Sequence, residues 1–211
     1  MPHDTSSLAT MIGSRICHDL ISPLGAVNNG LELMHLSNTP QSPELTLIAE
    51  SVTYANARIK FFRLAFGMAS EEQMTGAEEI NAILADLQID GRLSISTFPQ
   101  GVHPRGQVRA TLLALLCAEQ AIPYGGRITI NRHDDTWHIT AQGDRLKPDP
   151  DLWSLLNGTA HGPSLTPAAV QFAILPDLLP GIGMACQASF SDMCAEIRLM
   201  PASHHHPSPD I

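Results

Sequence analysis

Positive charge is scarce in this sequence: 12 Lys and Arg stand against 21 Asp and Glu, a formal charge of −9 over 211 residues. Nucleic-acid binding depends on clustered Lys and Arg meeting phosphates, so no nucleic-acid partner is expected and the expected partners are proteins. No run approaches the roughly 20 uncharged apolar residues that a bilayer-spanning helix needs. The N-terminus also lacks a basic segment leading into an apolar one, so no membrane association and a cytoplasmic location are expected. Cysteine is sparse and dispersed. Cys17, Cys117, Cys186 and Cys194 lie in apolar surroundings with no C-x-x-C pair, which reads as reduced core residues rather than a disulfide framework. No metal-ligand set stands out among the ten histidines. His204-His205-His206 sits in a Pro/Ser-rich tail without an acidic or Cys ligand at useful spacing, and His103, His133, His138 and His161 are scattered, each read as solvated or structural.

What is present is enough apolar residue for a core, 44% of the chain, over a length that accommodates one domain or two modest ones. Residues 5–36 contain a single proline and carry Ile12, Ile16, Leu20, Leu24, Val27, Leu31 and Met34. Steps of three and four describe one side of a long helix. Ser37-Asn38-Thr39-Pro40-Gln41-Ser42-Pro43 breaks it, because a residue before proline is disfavoured in the helical region. From Leu45 the series Ile48, Val52, Ala55, Ile59, Phe62 and Phe66 alternates steps of three and four in the manner of bundle packing, predicting a second helix antiparallel to the first. Gly67 and Ser70-Glu71-Glu72-Gln73 close it. A hairpin leaves much of two apolar stripes wet, and a dimeric four-helix bundle would cover them. Tyr54, Phe61 and Leu64 fall roughly 120–160° from the main stripe of the second helix, and need cover from either a second subunit or the C-terminal part of the chain.

After about residue 75 the texture turns mixed. Residues 78–87 read as a helix, 93–97 as a half-buried strand, and 107–121, apolar almost all round, as a buried helix. Gly125-Gly126 leads into strand 127–130, then a polar loop 131–135 and a strand 137–141. A short helix at 151–156, a longer one at about 167–179 and two closing strands at 184–190 and 194–199 complete an α+β reading with helices on one face of a largely antiparallel sheet. The expected division is 1–72 for the helical hairpin, 73–201 for the α/β part and 202–211 for a disordered tail.

The candidate chemistry sits in His18-Asp19-Leu20-Ile21-Ser22-Pro23. At about 100° per residue His18, Ser22, Gly25 and Asn29 fall within roughly 60° of one another and nearly opposite the apolar stripe, an exposed face. Phosphoryl transfer to imidazole needs a neutral ring nitrogen aimed in line at phosphorus, which a solvent-facing histidine supplies near neutral pH. Ser22 and Gly25 are small and let an acidic pocket approach. Asp19 is placed to take the other ring N–H and hold the tautomer, although adjacent helical positions face each other poorly. Pro23 removes a backbone donor and is expected to bend the helix there. Arg15 is a candidate to steer an acidic pocket. Arg58 and Phe61, on the stretch of the second helix that passes near His18, are candidate docking residues, with salt bridging the alternative for Arg58 and Arg63.

The arrangement H-[DE]-x-x-[ST]-P resembles the phosphoacceptor box of the dimerisation and histidine-phosphotransfer domain of sensor histidine kinases. The longer stretch from Ile16 to Leu33, with Ala57-Arg58-Ile59-Lys60-Phe61-Phe62-Arg63-Leu64-Ala65-Phe66-Gly67 and the Ala121-Ile122-Pro123-x-Gly125-Gly126 turn, is similar to ChpT-type bacterial histidine phosphotransferases. That resemblance implies a homodimer with a central four-helix bundle, flanked by domains shaped like a kinase's Bergerat ATP-binding domain but degenerate. It implies a relay in a multistep two-component pathway: His18 takes phosphoryl from the receiver-domain aspartate of a hybrid histidine kinase and passes it to response-regulator receiver domains, with Mg²⁺ supplied by the receiver and no cofactor bound intrinsically. The rival readings are an ATP-dependent histidine kinase and an adaptor that carries no phosphate. Against the kinase stand three departures from its pattern. Leu112-Leu113-Ala114-Leu115-Leu116-Cys117-Ala118 occupies the place of the Mg²⁺-holding asparagine, and aliphatic side chains cannot ligate a hard cation. Ala141-Gln142-Gly143-Asp144-Arg145 replaces Asp-x-Gly-x-Gly, and no glycine-rich lid lies between Asp144 and Leu165.

Overall fold

A computed structural model describes residues 5–36, 42–70, 72–88, 91–158 and 165–202, and on the first helix the side chains of residues 20–34. That helix, α1 (Thr5–Leu36), runs continuously through Pro23. The expected break at 37–41, His161, the tail from residue 203 and the side chain of Cys17 lie outside the described residues. α2 (Pro43–Phe66) opens on Ser42, whose hydroxyl accepts from the Leu45 amide at 3.3 Å, with Pro43 in the first turn where a missing N–H costs nothing.

α1 packs chiefly along α2. Leu24 and Leu31 of its stripe are half-buried, but Leu20, Val27 and Met34, at seven-residue steps along one line, remain 46%, 46% and 40% exposed. On α2, Ile48 of the main stripe and the neighbouring Leu47 are exposed as well. The other side of α2 is well covered. Ala57, Phe61, Leu64 and Ala65 are buried against α3 (Ala77–Asp86) and α4 (Arg105–Ala121), at about 1.5–3 kcal/mol for each large side chain. The C-terminal part of the chain is thus what covers Phe61 and Leu64, and Tyr54 packs in part on the same core.

The end of α2 is held from the same direction. Its last carbonyls carry the negative end of the helix dipole; that of Arg63 accepts from the Gly67 amide at 3.1 Å, and those beyond it lack an intrahelical donor. Arg105 Nη2 donates to Arg63 O and Arg109 Nε to Ala65 O, each at 3.2 Å. Burial lowers the pKa of both guanidinium groups.

Five strands form the sheet in the order β2 (Leu93–Ile95), β4 (Gly126–His133), β5 (Thr136–Gln142), β7 (Cys194–Pro201), β6 (Met184–Phe190); β2 and β4 are parallel and the other pairs antiparallel. β1 (Met74–Gly76) and β3 (Val102–Pro104) pair separately; at three residues each they are too short for alternation to reveal. α4, α5 (Pro150–Leu156) and α6 (Gln171–Leu178) lie on one sheet face. The opposite face carries Asn131, His138, Thr140, Glu196 and Arg198, all at least partly exposed. Beneath the sheet Trp137 is fully buried, its indole N–H donating to Gln107 Oε1 at 3.2 Å. His103 is buried between the Pro99 carbonyl and the Arg132 guanidinium, a structural role.

Three local expectations are corrected. Residues 131–133 belong to β4, and the turn to β5 needs only Asp134, at φ +52°, and Asp135: a left-handed Asp closes a tight hairpin where a longer polar loop was expected. The helix expected at 167–179 divides into a 3-10 turn, Pro167–Ala169, and α6. α4 begins two residues early, at Arg105.

The edge strand β6 is shielded by one side chain. Asn157 accepts from the Ala188 amide at 2.8 Å and donates to its carbonyl at 2.9 Å, occupying backbone groups that would otherwise pair with another chain. At the other end of the sheet Gly125 and Gly126 have φ of +99° and +148°. A Cβ on either would strike backbone carbonyls, of Arg92 and Gln142 respectively, so this crossing of β2, β4 and β5 admits only glycine.

Candidate functional site

The six-residue box lies mid-way along α1. His18, Asp19 and Arg15 are helical in backbone, and their side chains lie outside the described residues. The strip continuing from His18 one turn at a time is described. Ser22 and Asn29 are exposed, and a Cβ added at Gly25 would meet nothing within 4 Å. Next to the strip, Asn28 donates to Glu32 at 3.1 Å, so it is engaged along its own helix. Ser22 and Asn29 lie in the open because α1 packs chiefly on α2 and neither is covered by it, while Gly25, partly buried, leaves free space where a side chain would be.

The two docking candidates on α2 separate. Phe61 is 0% exposed, so it cannot meet a partner; the reading that made it a docking residue is corrected by α3 and α4, which enclose that side of α2. Arg58 faces a cleft. Its guanidinium pairs with Glu119 at 3.2 Å and lies 5.0 Å from the centre of the Phe62 ring. Arg92 reaches the other oxygen of Glu119 at 3.3 Å. These groups border a cavity of about 510 Å³ between α2, α4 and the start of α6, with Phe66, Leu116 and Val170 on its apolar side. Arg63 pairs with Glu79 at 3.9 Å, with both side chains half exposed, a contact worth little.

Glu119 was not singled out in the sequence, although it is the sole acid in the run 105–121. An acid near the end of a buried apolar helix opposes the helix dipole and calls for cationic partners, which is the signal that could have found it. Elsewhere on α4, Leu112, Leu113, Ala114, Leu115 and Cys117 are buried, and Ala141 is buried between Ile128 and Ala195 in the sheet. Among the described residues no three His, Cys, Asp or Glu side chains stand together as a metal site, and no helix is long and apolar enough to cross a membrane.

A helical hairpin laid against an α+β body, with the stretch His18 to Pro23 on its first helix, resembles the architecture of histidine-phosphotransfer proteins. A family model for the histidine phosphotransferase C-terminal domain matches residues 77–193. The chain is 31% identical over 170 residues to the protein phosphotransferase ChpT of Brucella abortus (strain 2308), covering 78% of this chain and 81% of that protein. A bacterial phosphotransferase solved at 1.7 Å aligns over 94% of this chain and 98% of its own, with 25% identity and a TM-score of 0.65. The chain belongs to the ChpT-type histidine phosphotransferase family, and its chemistry is phosphotransfer within a phosphorelay.

Proposed function

We propose that His18 is the phosphoacceptor, and that it takes phosphoryl from the receiver-domain aspartate of a hybrid histidine kinase and delivers it to response-regulator receiver domains. The carrying observation is the open strip of Ser22, Gly25 and Asn29 running on from His18 along α1. A neutral imidazole nitrogen attacks the aspartyl phosphate in line; an N–P bond forms as the acyl P–O bond breaks, and the carboxylate leaves with its electron pair. The second receiver's carboxylate reverses the step. Mg²⁺ stays in each receiver's acidic pocket, and this chain supplies the nucleophile and the docking surface. Asp19 receives the other ring N–H, Arg15 steers the acidic pocket, and Arg58, at the cleft edge, is a docking cation.

In this reading the protein works in the cytoplasm as a homodimer. Leu20, Val27 and Met34 present an apolar line that one neighbouring helix leaves wet, and a second hairpin would seat it as knobs in a four-helix bundle. Residues 1–72 then form the phosphotransfer and dimerisation domain, and residues 73–201 a scaffold that binds no ATP, since the positions that would reach Mg²⁺ and adenine are buried aliphatics.

Incubation with a phosphorylated receiver domain tests this. Wild type is expected to acquire acid-labile, base-stable phosphate and His18→Ala none, with an unchanged dimer mass by light scattering; labelling that survives the substitution overturns the assignment. Val27→Glu is expected to yield monomers, and saturable nucleotide binding would overturn the scaffold role.

A further inference from the structure

The chain is strongly acidic overall, yet one end of the sheet is basic. Arg92, Arg127 and Arg145 line a broad groove of about 860 Å³ where β2 and β4 begin and β5 ends. Its floor includes the glycine crossing at Gly125 and Gly126, where the backbone of Arg92 and Gln142 packs too closely for any Cβ. Tyr124 and Met193 flank it, 64% and 73% exposed. The Arg145 guanidinium lies 5.7 Å from the centre of the Tyr124 ring, which keeps that cation and ring side by side. Asp144 is the groove's one lining carboxylate, and among the described ion pairs none engages Arg127 or Arg145.

We propose that this groove docks an acidic, partly apolar segment of a partner protein: carboxylates on Arg127 and Arg145, and an apolar side chain between Tyr124 and Met193. Two observations select that occupant. The residue types on display, Arg, Tyr and Met, are those enriched at the centres of protein interfaces, whereas small-ligand sites enclose most of their ligand; this groove is open. The charge also has a direction, because three arginines gather around this groove on a chain whose net charge is −9, and such complementarity sets orientation and association rate. The surface is distinct from the His18 strip, so this inference does not rest on the phosphotransfer reading.

The test is fluorescence anisotropy with a labelled peptide in which Asp and Glu flank one Leu and one Phe, together with the same peptide bearing Lys in place of every acid. Wild type is expected to bind the acidic peptide saturably, with affinity falling as salt rises, and not the basic one. Arg127→Glu with Arg145→Glu is expected to weaken binding at least about tenfold, while His18→Ala leaves it unchanged. Arg127→Gln with Arg145→Gln, which removes charge without reversing it, should weaken binding less, and unaltered thermal melts will show that both variants fold. The proposal is overturned by absence of saturable binding, by equal binding to the charge-reversed variant, or by full displacement of the peptide with ATP or inorganic polyphosphate, which would identify a small-anion site.

Discussion

α1 and α4 are both rich in apolar residues, yet they live under opposite conditions. α4 is enclosed by α2, α6 and the sheet, and Leu112, Leu113, Ala114 and Cys117 are inaccessible. α1 is nearly twice as long and leans on α2, leaving a line of apolar side chains in water. The burial of the single chain therefore lies mostly in the body, while the proposed phosphoacceptor lies on the helix the chain covers least. Such a helix can offer an open strip to a visiting protein, and the homodimer proposed above would cover its other side.

The contrast can be broken or sharpened by substitution. The largest effect is expected for Leu113→Ala, which opens a cavity in the core and should cost about 2–5 kcal/mol. Leu47→Ala, at the exposed end of the hairpin, should change stability by less than about 0.5 kcal/mol. Urea unfolding measures both, and an equally large loss at Leu47 would mean that the hairpin end is as well covered as the body. Asn157→Ala should cost about 1–3 kcal/mol by orphaning the Ala188 amide and carbonyl. It should also expose the β6 edge, so that gel filtration shows concentration-dependent association.

The body also has an alkaline weakness. Burial pushes the Cys186 thiol from 9.0 to about 12. A raised thiol pKa favours the protonated folded form, so stability is complete below the unfolded value of 9.0 and declines as pH climbs from there toward 12. At pH 10 the loss is roughly 1.4 kcal/mol, and Cys186→Ala should make this limb of a stability–pH curve shallower, with Cys117, whose thiol burial also raises, contributing to the rest. Glu119→Gln, which removes the carboxylate that Arg58 and Arg92 share, should cost about 1 kcal/mol and loosen the hairpin against the body, seen as faster amide exchange in α2. Smallest is the acid limb. Arg198 holds the Glu196 carboxylate below its usual 4.5. That contribution is present above pH 4.5 and is lost as pH falls through the depressed folded value, so Glu196→Gln should remove only a shallow slope from the acid side of the curve.

Where an element announces itself by local spacing, it was legible in the sequence. The two hairpin helices, the aliphatic helix and the closing strands follow from steps of three and four or of two, and the proposal for His18 rests on six consecutive residues. Phe61 shows where that legibility stops. Its angle on the helix required cover, but the identity of the cover depended on α3 and α4, the nearer of which begins 16 residues further along the chain. β1 and β3 fell below the length at which alternation carries information, and Glu119 was passed over because its partners Arg58 and Arg92 are distant in sequence.

Local order alone determined the helical phases, the histidine box and the acidic surplus, since each is set by neighbours within a turn or two or by composition. Only the tertiary structure decided which side of α2 is closed, that Arg58 answers Glu119, that Asn157 guards a strand edge, and that three arginines share a groove. Burial and charge pairing depend on what lands opposite a residue in space, and a single chain's periodicity holds no record of that.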